Sequence, residues 1–282
     1  MHQRNTIINY KYQILEHIGE GSFGQIYEAV NLRTGEHVAL KTEVVASNLK
    51  LLKNECIIYQ YLLHVDGIPE FKWFGKDTNH YYMVLTLLGK SVYDLLLEQQ
   101  RIPLETIAKI GTQIIRILQQ VHDKGLIHRD IKPENFLFGL EDEIEKIYLI
   151  DFGLCKPFLY EMKKTSSIIG TPTYVSVNGH NFIELSRRDD LESLGYMLIH
   201  LYVGDLKWRK IHLDHNVVHR NNMIRLAKEN VCTLYSLPTV LVEYVTYVRQ
   251  LQFEERPNYD LLIQMMDLTT PHLHDNSSND GT

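Results

Sequence analysis

The segment HRDIKPEN, residues 128–135, gathers ionisable and amide side chains between two apolar stretches, GLI before it and FLF after it. It contains Asp130, Lys132 and Asn135, whose side chains can bind protons, phosphate oxygens or metal ions. A charged group within apolar sequence needs a partner, a metal or a chemical role. Two interpretations are open: a polar turn between core elements, or part of a catalytic site.

A glycine-rich stretch, GEGSFG at residues 19–24, is a second candidate for chemistry. Glycine lets backbone N–H groups approach phosphate closely, so the pattern G-x-G-x-x-G indicates a nucleotide site. The pattern also opens dinucleotide-binding folds, where a helix follows and an acid stands ~20 residues on, as Glu43 would. Here QIYEAV follows with a period of two, which predicts a strand and disfavours that fold. A plain glycine-rich hairpin stays open.

Two further ionisable residues follow in order. Lys41 ends the predicted strand VALK, and Glu55 lies on the next predicted helix among apolar neighbours. A carboxylate that faces inward needs a cation, so we predict an ion pair between Glu55 and Lys41, although either could be a surface charge. The tripeptide DFG, starting at Asp151, ends an apolar strand. These motifs occur together in one order, which chance does not explain.

The elements that must position these residues change character along the chain. Up to residue 88 the pattern predicts strands, with a turn at Thr34-Gly35 and one helix over 48–63. The residues predicted to share the buried face of that helix are Leu52, Cys56, Tyr59 and Leu63.

Residues 89–269 are predicted to be mostly helical, with a last helix from Tyr259 to Asp267. The polar stretch 270–282 is predicted to be disordered. One long helix is bounded by Pro103 and Gly125. Its apolar positions are Ile107, Ile110, Ile114, Leu118 and Val121.

Composition limits the function classes. The 282 residues are 44% apolar and carry a net charge of −6, which argues against a general nucleic-acid or membrane-surface binder. No apolar run approaches the ~18 residues of a membrane span. Cys56, Cys155 and Cys232 are far apart, so we expect free thiols in a reducing compartment, cytoplasmic and/or nuclear. We expect a monomer.

With these motifs the chain resembles the eukaryotic protein kinases, from about Tyr12 to about Met266. The resemblance implies an α+β, bilobal fold with a small antiparallel-sheet N-lobe carrying one helix (1–88) and a larger, mostly helical C-lobe (89–269). It implies that Asp130 accepts the substrate hydroxyl's hydrogen. Lys132-Pro133 is similar to the serine/threonine type.

The resemblance also implies ATP and Mg²⁺ as cofactors. Asn135 and Asp151 would hold the magnesium, Lys41 fixed by Glu55 would hold the α- and β-phosphates, and Lys132 would neutralise the γ-phosphate. The nucleotide residues that it implies are also ordinary core or loop residues. They are Ile18, Gly19, Glu20, Gly21, Ser22, Phe23, Gly24, Gln25, Ile26, Ala39, Lys41, Leu85, Thr86, Leu88, Leu137 and Ile150.

Within the kinases, several stretches resemble the casein kinase I family. Ser176-Val177-Asn178 stands where most kinases have Ala-Pro-Glu, and IGEGSFG, LLGKSVYDLL, KPENFLFG and SRRDDLESLGY are similar to that family. The resemblance implies a serine/threonine kinase that favours acidic or already phosphorylated protein substrates. It also implies that Asp190 is the buried aspartate that ties the catalytic loop to its supporting helix.

Basic residues around the predicted activation segment are candidates for binding a substrate anion: Arg187, which matches a family anion-binding arginine, with Lys163 and Lys164. They could equally be a solvated face. The family's usual arginine is replaced by Thr173, and Lys228 is the nearest candidate for its partner lysine. These departures weaken the expectation of phosphorylated substrates.

The alternative function is that of a pseudokinase, a nucleotide-binding scaffold without transfer activity. Pseudokinases typically lose one or more catalytic residues. The discriminating feature is a complete set, here Lys41, Glu55, Asp130, Asn135 and Asp151.

Overall fold

The computed structural model describes residues 4–21, 24–45, 51–213 and 216–267. The predictions for Ser22 and Phe23, the first residues (48–50) of the helix predicted over 48–63, and the predicted disordered tail at 270–282 lie outside these ranges. Within them, every helix is too short or too polar to traverse a lipid bilayer.

An antiparallel sheet precedes most of the helices, and in the described residues it has six strands in the order β1-β2-β3-β4-β6-β5. Alternation of apolar and polar residues gives it a buried face, where Tyr12 and Tyr27 join a small core. The predicted turn is confirmed: the Gly35 N–H donates to the Asn31 carbonyl at 2.8 Å, and Gly35 has a φ of 74°. The strands are β1 (Ile7–Ile8), β2 (Tyr12–Gly21), β3 (Gly24–Asn31), β4 (His37–Val44), β5 (Phe71–Lys76) and β6 (His80–Thr86).

Helix α1 (Leu51–Tyr61) packs against β5 and β6. The backbone at its first turn contacts Glu43, an acidic residue of β4. The Glu43 carboxylate accepts hydrogen bonds from the N–H groups of Leu51, at 3.2 Å, and Leu52, at 2.8 Å. The first N–H groups of a helix lack intrahelical acceptors, and the helix dipole favours negative charge there. Glu43 therefore caps this helix.

One prediction for α1 is wrong. Leu52, Cys56 and Tyr59 are buried as predicted, but Leu63 is 47% exposed. The helix ends at Tyr61, and the chain turns at His64, which has a φ of 68°. Leu63 therefore does not continue the buried face.

The long predicted helix is confirmed as α3 (Leu104–Asp123), and its five predicted apolar positions are all buried. Pro103 stands immediately before it and Gly125, with a φ of 74°, two residues after it, as expected for helix boundaries. One face of α3 packs on α9 (Tyr259–Asp267), whose predicted bounds are confirmed.

Helix α5 (Arg187–Val203) lies at the centre of the helical part, against α3 and α8, so its side chains are buried almost all round. The Ser186 N–H donates to the Asp189 carboxylate at its start, and Gly204, with a φ of 83°, ends it. The remaining helices are α2 (Val92–Gln99), α4 (Val177–His180), α6 (Val217–Glu229), α7 (Val231–Leu234) and α8 (Thr239–Gln250), with 3-10 turns at Pro133–Asn135, Glu141–Glu143 and Lys207–Leu213.

Four short strands fix the ends of two loops. Strand β7 (Leu126–Ile127) and strand β8 (Phe136–Phe138) bracket residues 128–135, while β9 (Ile147–Leu149) precedes Asp151 and β10 (Lys156–Pro157) follows it. β8 pairs with β9, and β7 pairs with β10, both antiparallel. This pairing holds HRDIKPEN and DFG side by side. The predicted α+β architecture, a small antiparallel sheet followed by a larger helical part, is confirmed.

Candidate active site

A cleft of about 710 Å³ lies between the sheet and the helical part. Its lining includes ten of the predicted nucleotide residues: Ile18, Glu20, Ile26, Ala39, Lys41, Leu85, Thr86, Leu88, Leu137 and Ile150. Four others, Gly19, Gly21, Gly24 and Gln25, lie on the β2–β3 hairpin outside that lining. Leu87, between the predicted Thr86 and Leu88, also lines the cleft, and sequence reasoning missed further lining residues: Glu28, Tyr59, Pro69, Gly89, Ser91, Asp94, Glu134 and Leu140.

The predicted ion pair of Lys41 and Glu55 is present. The Lys41 Nζ lies 2.7 Å from a Glu55 carboxylate oxygen and 3.3 Å from the Asp151 Oδ1. Strand β4 and helix α1 supply the first two residues, and the loop after β9 supplies Asp151. Burial lowers the pKa of Lys41, but the carboxylates of Glu55 and Asp151 more than offset this, so the pKa is raised. Lys41 therefore carries a positive charge in the cleft.

Asp130 is nearly buried and accepts hydrogen bonds on both carboxylate oxygens. Its Oδ1 accepts from the Thr171 N–H at 2.9 Å and from the Thr171 hydroxyl at 2.7 Å. Its Oδ2 accepts from the Lys132 ammonium at 2.7 Å, and this ammonium also donates to the Thr171 Oγ1 at 3.4 Å. Thr171 is thus a member of the site that sequence reasoning missed. A hydroxyl residue directly after Gly170 was the only signal for it.

Asn135 and Asp151 are the residues that could hold a magnesium ion. The Asn135 amide N–H₂ donates to the Asp130 backbone carbonyl at 2.9 Å, which leaves its side-chain oxygen as the free acceptor. In the described residues no group of three or more histidine, cysteine or acidic side chains is placed to hold a metal. Mg²⁺ commonly takes only one or two protein oxygens and completes its shell with substrate phosphates and water. The pair fits such an ion.

Asp190 ties the catalytic loop to α5, as predicted. Its carboxylate accepts hydrogen bonds from the backbone N–H groups of His128 and Arg129, both at 2.8 Å. It also contacts the His122 Nε2 on α3 at 3.0 Å. Burial would raise the pKa of Asp190, but the hydrogen bonds and the charges of His122 and His128 lower it below its ordinary value. Three segments therefore depend on one ionised side chain.

Two neighbours of the DFG tripeptide hold it in place. The Phe152 ring is buried between Tyr59 and His128, edge-on to each with centroids 5.1 Å apart. The Asp151 N–H donates to the Tyr59 hydroxyl at 3.2 Å, and Asp151 has a φ of 63°, which few non-glycine residues adopt. His128 is fully buried against this ring, so its place is structural.

The segment after DFG is fixed by a small charge cluster. Arg129 donates to the Leu154 carbonyl at 2.7 Å, and its guanidinium lies 3.6 Å from the Glu184 carboxylate. The Lys156 Nζ lies 3.3 Å from the same carboxylate oxygen. Glu184 also donates its backbone N–H to the Lys163 carbonyl at 2.8 Å. Glu184 therefore joins the catalytic loop to Lys156 and Lys163 in the first part of this segment.

The candidate anion-binding residues lie in different environments. Arg187 is 9% exposed, donates to the Glu254 carbonyl and packs over the Phe158 ring at 4.4 Å. Lys163 and Lys164 are exposed, and the Lys163 ammonium lies 2.9 Å from the Glu161 carboxylate. Contact of these three residues with a substrate anion stays a prediction.

Lys228 does not fit the role of an anion-binding lysine. Its side chain is fully buried, and its Nζ donates to the carbonyls of Pro172, at 2.9 Å, and Val175, at 2.6 Å. Because the Lys228 ammonium donates to carbonyls beneath this segment, it is not accessible to an anion on the substrate. The sequence could not show this, because lysines are usually solvated.

A model of a known protein family matches almost the whole described chain. Its description is the protein kinase domain, and it matches residues 12–268. The match begins at the first residue of β2 and extends one residue past the end of α9.

Proposed function

Because the chain belongs to the protein kinase family, whose members use ATP and Mg²⁺ to phosphorylate proteins, we propose that it is an active serine/threonine kinase of the casein kinase I type. One observation carries the proposal. Lys41, Lys132, Asn135, Asp151 and Thr171 all line one cleft, and Asp130 is hydrogen-bonded to three of them. The rival function, a pseudokinase scaffold, is disfavoured because pseudokinases typically lack one or more members of this set.

In the proposed mechanism, Asp130 accepts a hydrogen bond from the substrate hydroxyl and orients its oxygen toward the γ-phosphate. The Thr171 hydrogen bonds fix the carboxylate at its Oδ1, while its Oδ2 faces the Lys132 ammonium. Positioning of this kind supplies much of the rate acceleration in phosphoryl transfer. Asp130 is thus oriented before the substrate arrives.

Two lysines of the cleft would neutralise the phosphates of bound ATP. Lys41, held by Glu55, reaches the α- and β-phosphates, and Lys132 stabilises the charge on the γ-phosphate during transfer. Asn135 and Asp151 would hold the magnesium, which as a bound cation offsets phosphate charge. The apolar residues Ile26, Ala39 and Leu137 of the cleft would cover the adenine ring.

The finer assignment is supported by sequence and by contacts. Lys132-Pro133 is similar to the serine/threonine type, and Ser176-Val177-Asn178 to casein kinase I. The Ser176 hydroxyl and the Asn178 amide both donate to the Asp189 carboxylate, at 2.6 and 3.0 Å. These contacts give the replaced tripeptide a structural function of its own.

We further propose that the substrates are acidic but need no prior phosphorylation. The exposed Lys163 and Lys164 would attract acidic residues. Thr173 carries no charge and Lys228 is buried beneath the segment, so neither offers a cation to a substrate phosphate. We also propose that the protein works as a monomer in the cytoplasm and/or nucleus. The free thiols of Cys56, Cys155 and Cys232 favour such a reducing compartment.

Phosphorylation of a peptide array with acidic, phosphorylated and basic sets tests the proposal. We expect the protein to phosphorylate acidic peptides on serine and threonine but not on tyrosine. Peptides that already carry a phosphate should be phosphorylated at a rate similar to that of the acidic peptides. A wild-type protein that binds ATP with magnesium but phosphorylates no peptide and no casein would instead be a scaffold. A large preference for phosphorylated peptides that is lost in Arg187→Ala would contradict the proposed substrate class.

A further inference from the structure

Lys228 on α6 is fully buried, and no carboxylate of the described residues forms an ion pair with it, which is rare for a buried lysine. The acid whose charge acts on it, Glu192, is bound to Arg249 at 3.1 Å instead. The three donors of the Lys228 ammonium go to the carbonyls of Pro172 and Val175 and to the His180 Nε2, the last at 3.1 Å. All three protons of the ammonium therefore have acceptors.

Burial and the charge of Arg249 lower the pKa of Lys228 well below its ordinary value, and the charge of Glu192 opposes that shift. The acceptors and aromatic rings around its Nζ favour the protonated form. The His180 Nδ1 donates to the Asn221 side-chain oxygen, so its Nε2 carries the lone pair that Lys228 meets. Burial and the Lys228 charge lower the pKa of His180 to about 3, so the imidazole stays a neutral acceptor. The rings of Tyr196 and Trp208 flank the ammonium, with centroids 4.8 and 5.9 Å away.

The carbonyls that Lys228 binds belong to the segment that follows Thr171. The Trp208 indole N–H donates to the Thr173 carbonyl at 2.9 Å, so three carbonyls of residues 172–175 accept from buried side chains. The N–H of Val175 donates to the Thr171 carbonyl at 3.0 Å. The segment is therefore held from below by Lys228 and Trp208, and at its start by Asp130.

We propose that Lys228 is a positioning residue for phosphate transfer: it holds residues 171–175 so that Thr171 fixes Asp130 and the outer side of the segment receives the substrate peptide. This inference rests on the proposed function. It assigns Lys228 to the segment's backbone and not to a phosphate on the substrate. Loss of the ammonium leaves two buried carbonyls and a buried imidazole nitrogen without a donor, and the segment then moves to solvate them.

The variant Lys228→Met tests this inference, because it keeps the apolar stem and removes all three donors. We expect kcat/KM for an acidic peptide to fall roughly 10- to 100-fold, as for a misplaced site, with KM for ATP unchanged. Amide hydrogen exchange should become faster in residues 171–175 and stay unchanged in α3. Lys210→Met is the matched control, since that lysine side chain is 80% exposed. It should leave both measurements as in the wild type.

A second variant, Lys228→Gln, keeps an N–H₂ group for the carbonyls and should recover part of both losses. It also serves if the methionine variant does not fold. Equal losses on acidic and phosphorylated peptides support the inference. A loss confined to phosphorylated peptides would assign Lys228 to the substrate and overturn it.

Amide hydrogen exchange can be measured whether or not the protein transfers phosphate. It therefore tests the role of Lys228 separately from the proposed kinase function. If the wild type transfers no phosphate, the proposed function fails, while faster exchange confined to 171–175 in Lys228→Met still supports the role in holding the segment. Exchange that matches Lys210→Met, or that rises throughout the helical part, overturns the inference.

Discussion

At the scale of single residues, hydrogen bonds fix the orientation of the Asp130 carboxylate. Its Oδ1 accepts two hydrogen bonds from Thr171, and its Oδ2 lies 2.7 Å from the Lys132 Nζ. A carboxylate with both oxygens engaged has little rotational freedom. The group that must meet the substrate hydroxyl is thus fixed by two side chains from different parts of the chain.

The variant Asp130→Asn removes the proton acceptor and keeps the size of the side chain. We expect the rate of phosphate transfer to casein to fall by about 10²–10⁴-fold, the range for loss of a general base. The affinity for ATP, measured by calorimetry, should stay the same, because Asp130 does not contact the nucleotide in the proposed mechanism. Asp142→Asn, at an exposed position, is the control and should behave as the wild type. Full activity of Asp130→Asn would contradict the assigned role.

At the scale of elements, Asp190 connects α5, α3 and the catalytic loop. Its folded-state pKa lies below the ordinary value of 3.8. The stability that its charge supplies is therefore complete above about pH 3.8 and is lost as the pH falls through the folded-state pKa. We expect Asp190→Asn to lower the free energy of unfolding by about 2–4 kcal/mol at pH 7, from urea unfolding. The difference from the wild type should persist to about pH 4 and shrink only below it.

The pKa of the adjacent Asp189 is shifted in the opposite direction. Burial raises its pKa to about 6, so its carboxyl binds protons more strongly in the folded state than in the unfolded state. Stability from this group therefore falls as the pH rises from about 3.8 toward 6. Asp189→Asn should become more stable relative to the wild type over that interval. Parallel pH profiles of the two variants would contradict both assignments.

A glycine sets the contact between two loops. Gly170 has a φ of 91°, and a Cβ there would stand 2.3 Å from the Arg129 carbonyl oxygen. We expect Gly170→Ala to push the segment away from the catalytic loop and to lower kcat roughly 10- to 100-fold, as a small misplacement of a site does.

Gly125→Ala isolates the effect of backbone conformation from that of the contact. Gly125 also has a positive φ, of 74°, but a Cβ there would meet nothing within 4 Å. This variant should lose about 1–2 kcal/mol of unfolding free energy without a comparable loss of kcat. Equal kcat for the two variants would mean that the close approach at Gly170 has no catalytic consequence.

At the scale of the whole molecule, the sheet and the helical part meet across the cleft through Lys41, Glu55 and Asp151. Any ligand that binds only the folded protein stabilises it, by about 2.7 kcal/mol at a hundredfold excess over Kd. For a chain of this size the shift in Tm is roughly 4–5 °C. We expect ATP with magnesium to raise the Tm of the wild type by this amount.

Lys41→Met should abolish most of that shift, because it removes the cation for the phosphates and leaves two carboxylates facing each other. Lys53→Met, at an exposed position of α1, is the matched control and should keep the shift. The measurement is a thermal melt with and without nucleotide. An undiminished shift in Lys41→Met would show that this lysine does not contact the phosphates.

Local patterns predicted the elements that repeat along the chain, and the family resemblance predicted the distant contact of Asp190, but other distant contacts could not be predicted. The bounds of α9, the buried face of α3 and the Lys41–Glu55 pair followed from helical period and from the need of a buried acid for a cation. Thr171 and Asp130 are 41 residues apart, and no local pattern joins them. Lys228 was named only as a candidate anion-binding lysine, and its burial could not be predicted for a related reason: it is decided by α6 packing under a distant segment.

The Asp190 carboxylate has a consequence for any preparation of this protein. Because the Asp190 carboxylate of α5 accepts hydrogen bonds from the backbone of the catalytic loop, a molecule in which α5 has not folded lacks this support for the position of Asp130. Incompletely folded chains would then be inactive and would not phosphorylate other proteins nonspecifically. The specific activity of a preparation would therefore reflect the fraction of molecules in which the helical part is fully folded.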